Sequence, residues 1–180
     1  MKIPKIKNCK RCELHRFRRN IVVGRGVIPA QILFMGEAPG RSEDLTGESF
    51  RGRAGRILNK LILDAQITSF YIVNTVLCRP TDERQGDNRE PSESEVLACT
   101  DNVMSIVKKV NPELVILLGK VAERYYGKEF PDAVCLHHPA FLLRQGGVRS
   151  PYYRPNLRKL KEAVKELDSN ICLSERHILP

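Results

Sequence analysis

Gly36-Glu37-Ala38-Pro39-Gly40-Arg41-Ser42-Glu43-Asp44, resumed at Phe50-Arg51-Gly52-Arg53-Ala54-Gly55, says more about the architecture of this chain than any other segment. It follows the apolar run Ile32 to Met35 and leads into a helical pattern, so it occupies the strand-to-helix turn at which open α/β sheets hold their ligands. Five glycines and Pro39 let the backbone between residues 36 and 55 turn sharply and come close to a bound group. Four acids and Phe50 accompany them, a composition suited to a flat, polar ligand.

Outward from this turn, four runs have the β-branched and apolar content of buried parallel strands: Ile32 to Met35, Tyr71 to Leu77, Leu114 to Leu118 and Ala133 to Leu136. Helical patterns separate them. Ile57, Leu58, Leu61, Ile62 and Ala65 share one face of a helix starting near Arg53. Ser92 with Glu95 three residues later reads as a capping box opening a long helix that Asn111-Pro112 ends. A short helix is expected after Gly119, and Leu157, Leu160, Val164 and Leu167 mark an amphipathic one near the C-terminus. Strands alternating with helices imply right-handed crossovers, hence the α/β class: a three-layer α/β/α sandwich around a four-stranded parallel sheet. The polar stretch Thr81 to Pro91 is expected to be a mobile loop. Residues 1–167 read as one domain with an N-terminal arm, and 168–180 as a tail.

Composition narrows the class of function. Hydrophobic residues make up 42% and charged residues 28% of the 180, the balance of a globular protein. No apolar run approaches the roughly 20 residues of a membrane span, and the basic N-terminus lacks the apolar core of a secretory signal. The expected location is the cytoplasm, in association with the nucleoid. The net charge of +9 is concentrated: residues 1–30 hold nine Lys or Arg against Glu13, and residues 141–165 hold seven against Glu162. Two basic clusters in one small domain suit a phosphate backbone or, failing that, a solvated surface.

Six cysteines occur. Cys9 and Cys12 form a Cys-x-x-Cys in the basic arm, Cys78 follows the second strand and Cys99 lies in the capped helix; Cys135 reads as a core residue and Cys172 as a bystander. A disulfide framework is not expected in a cytosolic chain, which leaves metal: four thiolates can hold zinc or an iron-sulfur cluster, and the spacing does not choose between them.

Taken in order, the Cys-x-x-Cys, Gly36-Glu37-Ala38-Pro39-Gly40 with Glu43-Asp44, Phe50 before Gly52-Arg53-Ala54-Gly55, Asn74 before Cys78-Arg79-Pro80, and His138-Pro139-Ala140 before Leu142-Leu143-Arg144 resemble family 4 uracil-DNA glycosylases. The match is collinear from Cys9 to Arg144. The resemblance implies the uracil-DNA glycosylase fold, a 4Fe-4S cluster on Cys9, Cys12, Cys78 and Cys99 with zinc as the alternative, and excision of uracil from single- or double-stranded DNA in base excision repair. A monomer is expected, with a replication clamp or polymerase as a candidate partner.

The residues suit those roles chemically. Uracil presents O4 and N3–H side by side, and the one amide of Asn74 can donate to the first and accept from the second, whereas cytosine reverses the pattern. Phe50 offers a ring to a base taken out of the stack. His138, rather than His137, takes the motif position from which a hydrogen bond reaches uracil O2 as negative charge develops. Gly36, Ala38, Pro39 and Gly40 line the base, with backbone N–H groups as further donors. Some relatives in the wider superfamily carry Asp where this chain has Ala38, so Glu37 and Glu43 are the remaining acids for water activation. Leu142 or Leu143 is placed to wedge into the duplex, with Arg144 and Arg149 on phosphates. Each residue also has an ordinary structural reading: Asn74 as a turn residue, Phe50 and the leucines as core, His138 as a satisfied histidine. A second reading is a non-catalytic, replication-associated DNA-binding module on the same fold, although such a binder has no need of Phe50, Asn74 and His138 together.

Overall fold

A computed structural model describes residues 6–176, with side chains through residue 169. Five strands form one sheet in the order β1-β3-β2-β4-β5: β1 (Arg25–Gly26), β2 (Ile32–Gly36), β3 (Phe70–Asn74), β4 (Leu114–Leu118) and β5 (Val134–Leu136). β2 to β5 are parallel, as the alternation of strands and helices predicts. The expectation of four strands is corrected by β1, a two-residue antiparallel strand on the edge of β3. Two residues carry no period, which is why the sequence does not announce it.

The helices are α1 (Arg41–Thr46), α2 (Arg53–Asp64), α3 (Glu93–Val110), α4 (Lys120–Tyr126), α5 (Pro139–Arg144) and α6 (Tyr153–Arg176). Strand residues alternate between two cores. Leu33, Met35, Tyr71, Val73 and Leu117 face Val96, Val103, Ile106 and Val107 of α3 with Ala122 of α4. Ile32, Phe34, Ile72, Ile116 and Leu118 face Leu58 and Leu61 of α2, Leu142 of α5 and Leu160 of α6. Both faces of the sheet are therefore covered, giving the three layers expected. The helix assigned to the C-terminal region continues through Arg176; the remainder of the 168–180 tail, like Cys172's side chain, lies outside the described residues.

Local signals act where they were read. Ser92 Oγ accepts from the Glu95 N–H at 3.3 Å and Glu95 Oε2 accepts from the Ser92 N–H at 2.8 Å, opening α3. Asn111 closes it in the left-handed region, at φ 51°. β3 ends at Asn74 rather than continuing to Leu77, because Thr75 turns back onto β2: its N–H donates to Gly36 O at 2.9 Å and its Oγ1 to Glu37 O at 2.6 Å. That turn aims Asn74 across the C-terminal end of β2. Since β3 lies on one side of β2 and β4 on the other, the chain reverses direction across the sheet at this point, the place where open α/β sheets form a crevice.

The stretch 81–91, which is expected to be a mobile loop, is crossed by arginine side chains that hydrogen-bond to it. Arg79, buried beneath it, donates to Asn88 Oδ1 and Gly86 O, both at 2.5 Å. Arg41 reaches Gln85 O at 2.8 Å, and Arg89 spans Asp82 and Glu95. Among the described residues no helix is long and apolar enough to cross a membrane.

Candidate active site

A cleft of about 570 Å³ opens at this crevice, walled by the turn Glu37 to Gly40, by Ser42 and Glu43, by Phe50, by Asn74, and by His138, Ala140 and Arg144. The sequence brings these residues from four separate segments. Asn74 is 1% exposed, and neither its Nδ2 nor its Oδ1 has a partner in the protein. An amide that is desolvated and unpaired costs free energy that a ligand presenting one acceptor and one donor would recover.

Glycines make room for it. A Cβ on Gly36 would lie 2.6 Å from Asn74 Oδ1 and 2.7 Å from Phe50 Cζ, so only glycine lets amide and ring face the same space. Phe50 itself adopts φ 55°, uncommon for an aromatic residue, and is 7% exposed. A Cβ on Gly55 would fall 1.7 Å from Phe50 O, so α2 approaches the Phe50 backbone closely enough to fix it in that conformation.

The ring of His138 lies 5.8 Å from that of Phe50, centroid to centroid. His138 is the N-cap of α5, and its Nδ1 accepts from the Ala140 N–H at 3.2 Å. That bond assigns the proton of a neutral ring to Nε2. Burial, reinforced by the positive charge of Arg144, pushes its pKa down to about 4, so the ring is a neutral N–H donor at physiological pH.

The two acids differ. Glu37 is partly buried, and burial with the nearby charge of Glu90 raises its pKa, against the pull of Arg144 and Arg124. Glu43 has both carboxylate oxygens engaged: Oε2 accepts from the Gly40 N–H at 3.1 Å and Oε1 from the Gly52 N–H at 2.8 Å. It clamps two walls of the cleft together. Its neighbour Asp44, buried, accepts from the N–H groups of Arg19 at 2.8 Å and Asn20 at 3.2 Å, and so ties α1 to the N-terminal arm.

Of the two candidate wedges, Leu142 is 0% exposed and belongs to the core beneath α5, which removes it from contact with DNA. Leu143 is only partly covered, and Arg144 and Arg149 are exposed. Asn88, Arg89 and Pro80 also reach the cleft wall, and sequence reading missed them. Their one signal was the density of Arg, Asn and Pro in an otherwise featureless loop.

Cys9, Cys12, Cys78 and Cys99 line a separate small cavity between the arm and α3. Arg18 Nη1 donates to Cys78 Sγ at 3.5 Å, and Asn102 Nδ2 to Cys9 Sγ at 3.6 Å. Burial pushes the thiols of Cys78 and Cys99 up to about 11 and about 12. Among the described residues no three His, Cys, Asp or Glu side chains gather closely enough for a single metal ion.

The family model described as the uracil DNA glycosylase superfamily matches residues 23–168, and the chain belongs to that superfamily. The particular branch follows from individual relatives. The type-4 uracil-DNA glycosylase of Archaeoglobus fulgidus is 30% identical over 94% of this chain and 91% of its own length, and that of Thermotoga maritima 38% identical over 78% and 80%, which places the chain in the type-4 family. The type-4 uracil-DNA glycosylase of Saccharolobus solfataricus is 38% identical over 69% of this chain, an alignment that spans 56% of that relative.

Proposed function

We propose that this protein hydrolyses the bond between uracil and deoxyribose in DNA. The observation that carries the reading is Asn74, whose buried, unpartnered amide matches the O4 and N3–H edge of uracil and mismatches cytosine. Phe50 stacks on the base once it has left the helix. His138 Nε2–H donates to O2.

Breaking the N1–C1′ bond leaves its electron pair on uracil and positive charge on the sugar, and water then adds to C1′ while its proton departs. A neutral donor suits this step, because it strengthens its bond to O2 as charge grows without first giving up a proton. Glu37, whose carboxyl burial raises, is assigned to accept the proton from water, the position Ala38 cannot serve. Glu43 acts through the walls it clamps. Leu143 is assigned to the gap the base leaves, with exposed Arg144 and Arg149 assigned to phosphates.

The four thiols suit a 4Fe-4S cluster in their donor set: they surround one cavity, and two of them receive N–H···S bonds of the kind that stabilise cluster sulfur. Such a cluster would supply a covalent anchor for the N-terminal arm, and no step of the base chemistry passes through it. A module that only bound DNA would have no use for a buried amide left unpaired.

The test is incubation with uracil-containing oligonucleotide, single- and double-stranded, followed by hot alkali to cleave abasic sites. Cleavage at uracil, and none at cytosine or thymine, is expected; intact strands on both substrates would refute the assignment.

A further inference from the structure

Beside the cleft, on α5 and the segments that flank it, three aromatic rings stand together with no role in the chemistry above. His137 stacks on Phe141 at 5.1 Å and 18°, Phe141 meets Tyr152 edge-on at 5.0 Å, and Tyr152 lies 5.2 Å from His137. His137 is exposed, Phe141 half-buried and Tyr152 39% exposed. Buried Asn156 holds the group from behind: its Oδ1 accepts from the His137 N–H at 2.9 Å and its Nδ2 donates to Tyr152 O at 2.6 Å. The rings are thus preformed.

Their surroundings point to the occupant. From His137 to Lys161 the chain carries six Lys or Arg and no Asp or Glu. Flat rings in a basic surface are the combination with which proteins hold single-stranded nucleic acid, the charges following phosphates while a ring takes a base face. The position fits the same strand that enters the cleft. His137 adjoins His138 in the chain, and α5 presents Ala140 and Arg144 to the cleft while its Phe141 packs on His137.

We infer that His137, Phe141 and Tyr152 form a second base site, which stacks an unpaired nucleobase flanking the target nucleotide and so gives the protein a preference for single-stranded DNA. This rests on the reading that the cleft receives a nucleotide of a DNA strand. A paired neighbour cannot use the site, because its faces are already covered within the duplex.

The experiment is an abasic scan by fluorescence anisotropy. Single-stranded oligonucleotides of one length carry 2′-fluoro-deoxyuridine, which resists excision, and a base-free sugar is placed at each flanking position in turn. For the wild type, one position is expected to weaken binding about 10-fold, in keeping with the usual contribution of base–aromatic stacking. In duplex the same substitution should have no such effect. Tyr152→Ala should lose about the same on the intact strand and give a flat scan, whereas Tyr152→Phe should behave as wild type; Phe141→Ala is the second variant should Tyr152→Ala fold poorly. A flat scan in the wild type, or a flanking-base dependence that survives both Ala variants, overturns the inference. Uracil excision by wild type with a flat scan sinks this site alone. A position-dependent scan without excision sinks the cleft reading and leaves the site, and no binding to any strand sinks both.

Discussion

Replacing Asn74 with leucine is expected to move stability and activity in opposite directions. The two amide atoms are buried and unpartnered, and each such atom costs a folded protein roughly 1–3 kcal/mol. Leucine has nearly the same shape without polar atoms, so the fold should recover part of that cost, about 1–3 kcal/mol after imperfect packing against Gly36 and Phe50 is allowed for. For a domain of this size that is a rise in Tm of about 3–10 °C. Activity should fall by roughly 10² to 10³, the usual cost of removing a preorganised hydrogen-bonding group from the reacting base. The assays are thermal unfolding followed by circular dichroism, and single-turnover excision from a uracil oligonucleotide with enzyme in excess. Leucine that lowers Tm by several degrees would mean that the amide is paired within the folded protein. A rate retained within about tenfold would mean that it does not read the base, and either result would refute the reasoning.

Two further outcomes are expected. Because the folded-state pKa of His138 is depressed to about 4 from an ordinary value near 6.5, its neutral form stabilises the fold above about pH 6.5, and that contribution is lost as pH falls through 4. Tm should therefore decline over this window less steeply in His138→Gln than in wild type, and equal slopes would show that the ring titrates normally. Cys99→Ser should abolish iron binding and brown colour and expose residues 9–18 to limited proteolysis; a colourless wild type holding one zinc per chain would assign the thiols to zinc instead.

Much of the frame was legible because it rests on local rules. The β-branched runs of β2 and β4, the Ser92–Glu95 box and the α2 face each appear in the structure where the pattern puts them. What the sequence withheld depends on partners far apart in the chain. The end of β3 follows from a Thr75 bond to Glu37, and the contacts of residues 81–91 follow from arginines at positions 41, 79 and 89. No helix was expected at α5, and its six residues span fewer than two turns, too few for periodicity to announce it or to decide which of Leu142 and Leu143 would face inward. The site residues were legible as chemistry. The engagement of Glu43 on two backbone amides was not, because nothing in a sequence says that Gly40 and Gly52 converge.

In α1, adjacent acids face opposite obligations. Glu43 closes the cleft, and Asp44 fastens the arm that begins with Cys9 and Cys12. A helix of six residues is too short to bend between them, so it behaves as a buckle: slack introduced at one end is taken up at the other. Oxidative damage to the thiols should therefore register as a loosened grip on the base some distance away, and a variant selected for a wider cleft would be expected to arrive with a weaker hold on its own N-terminus.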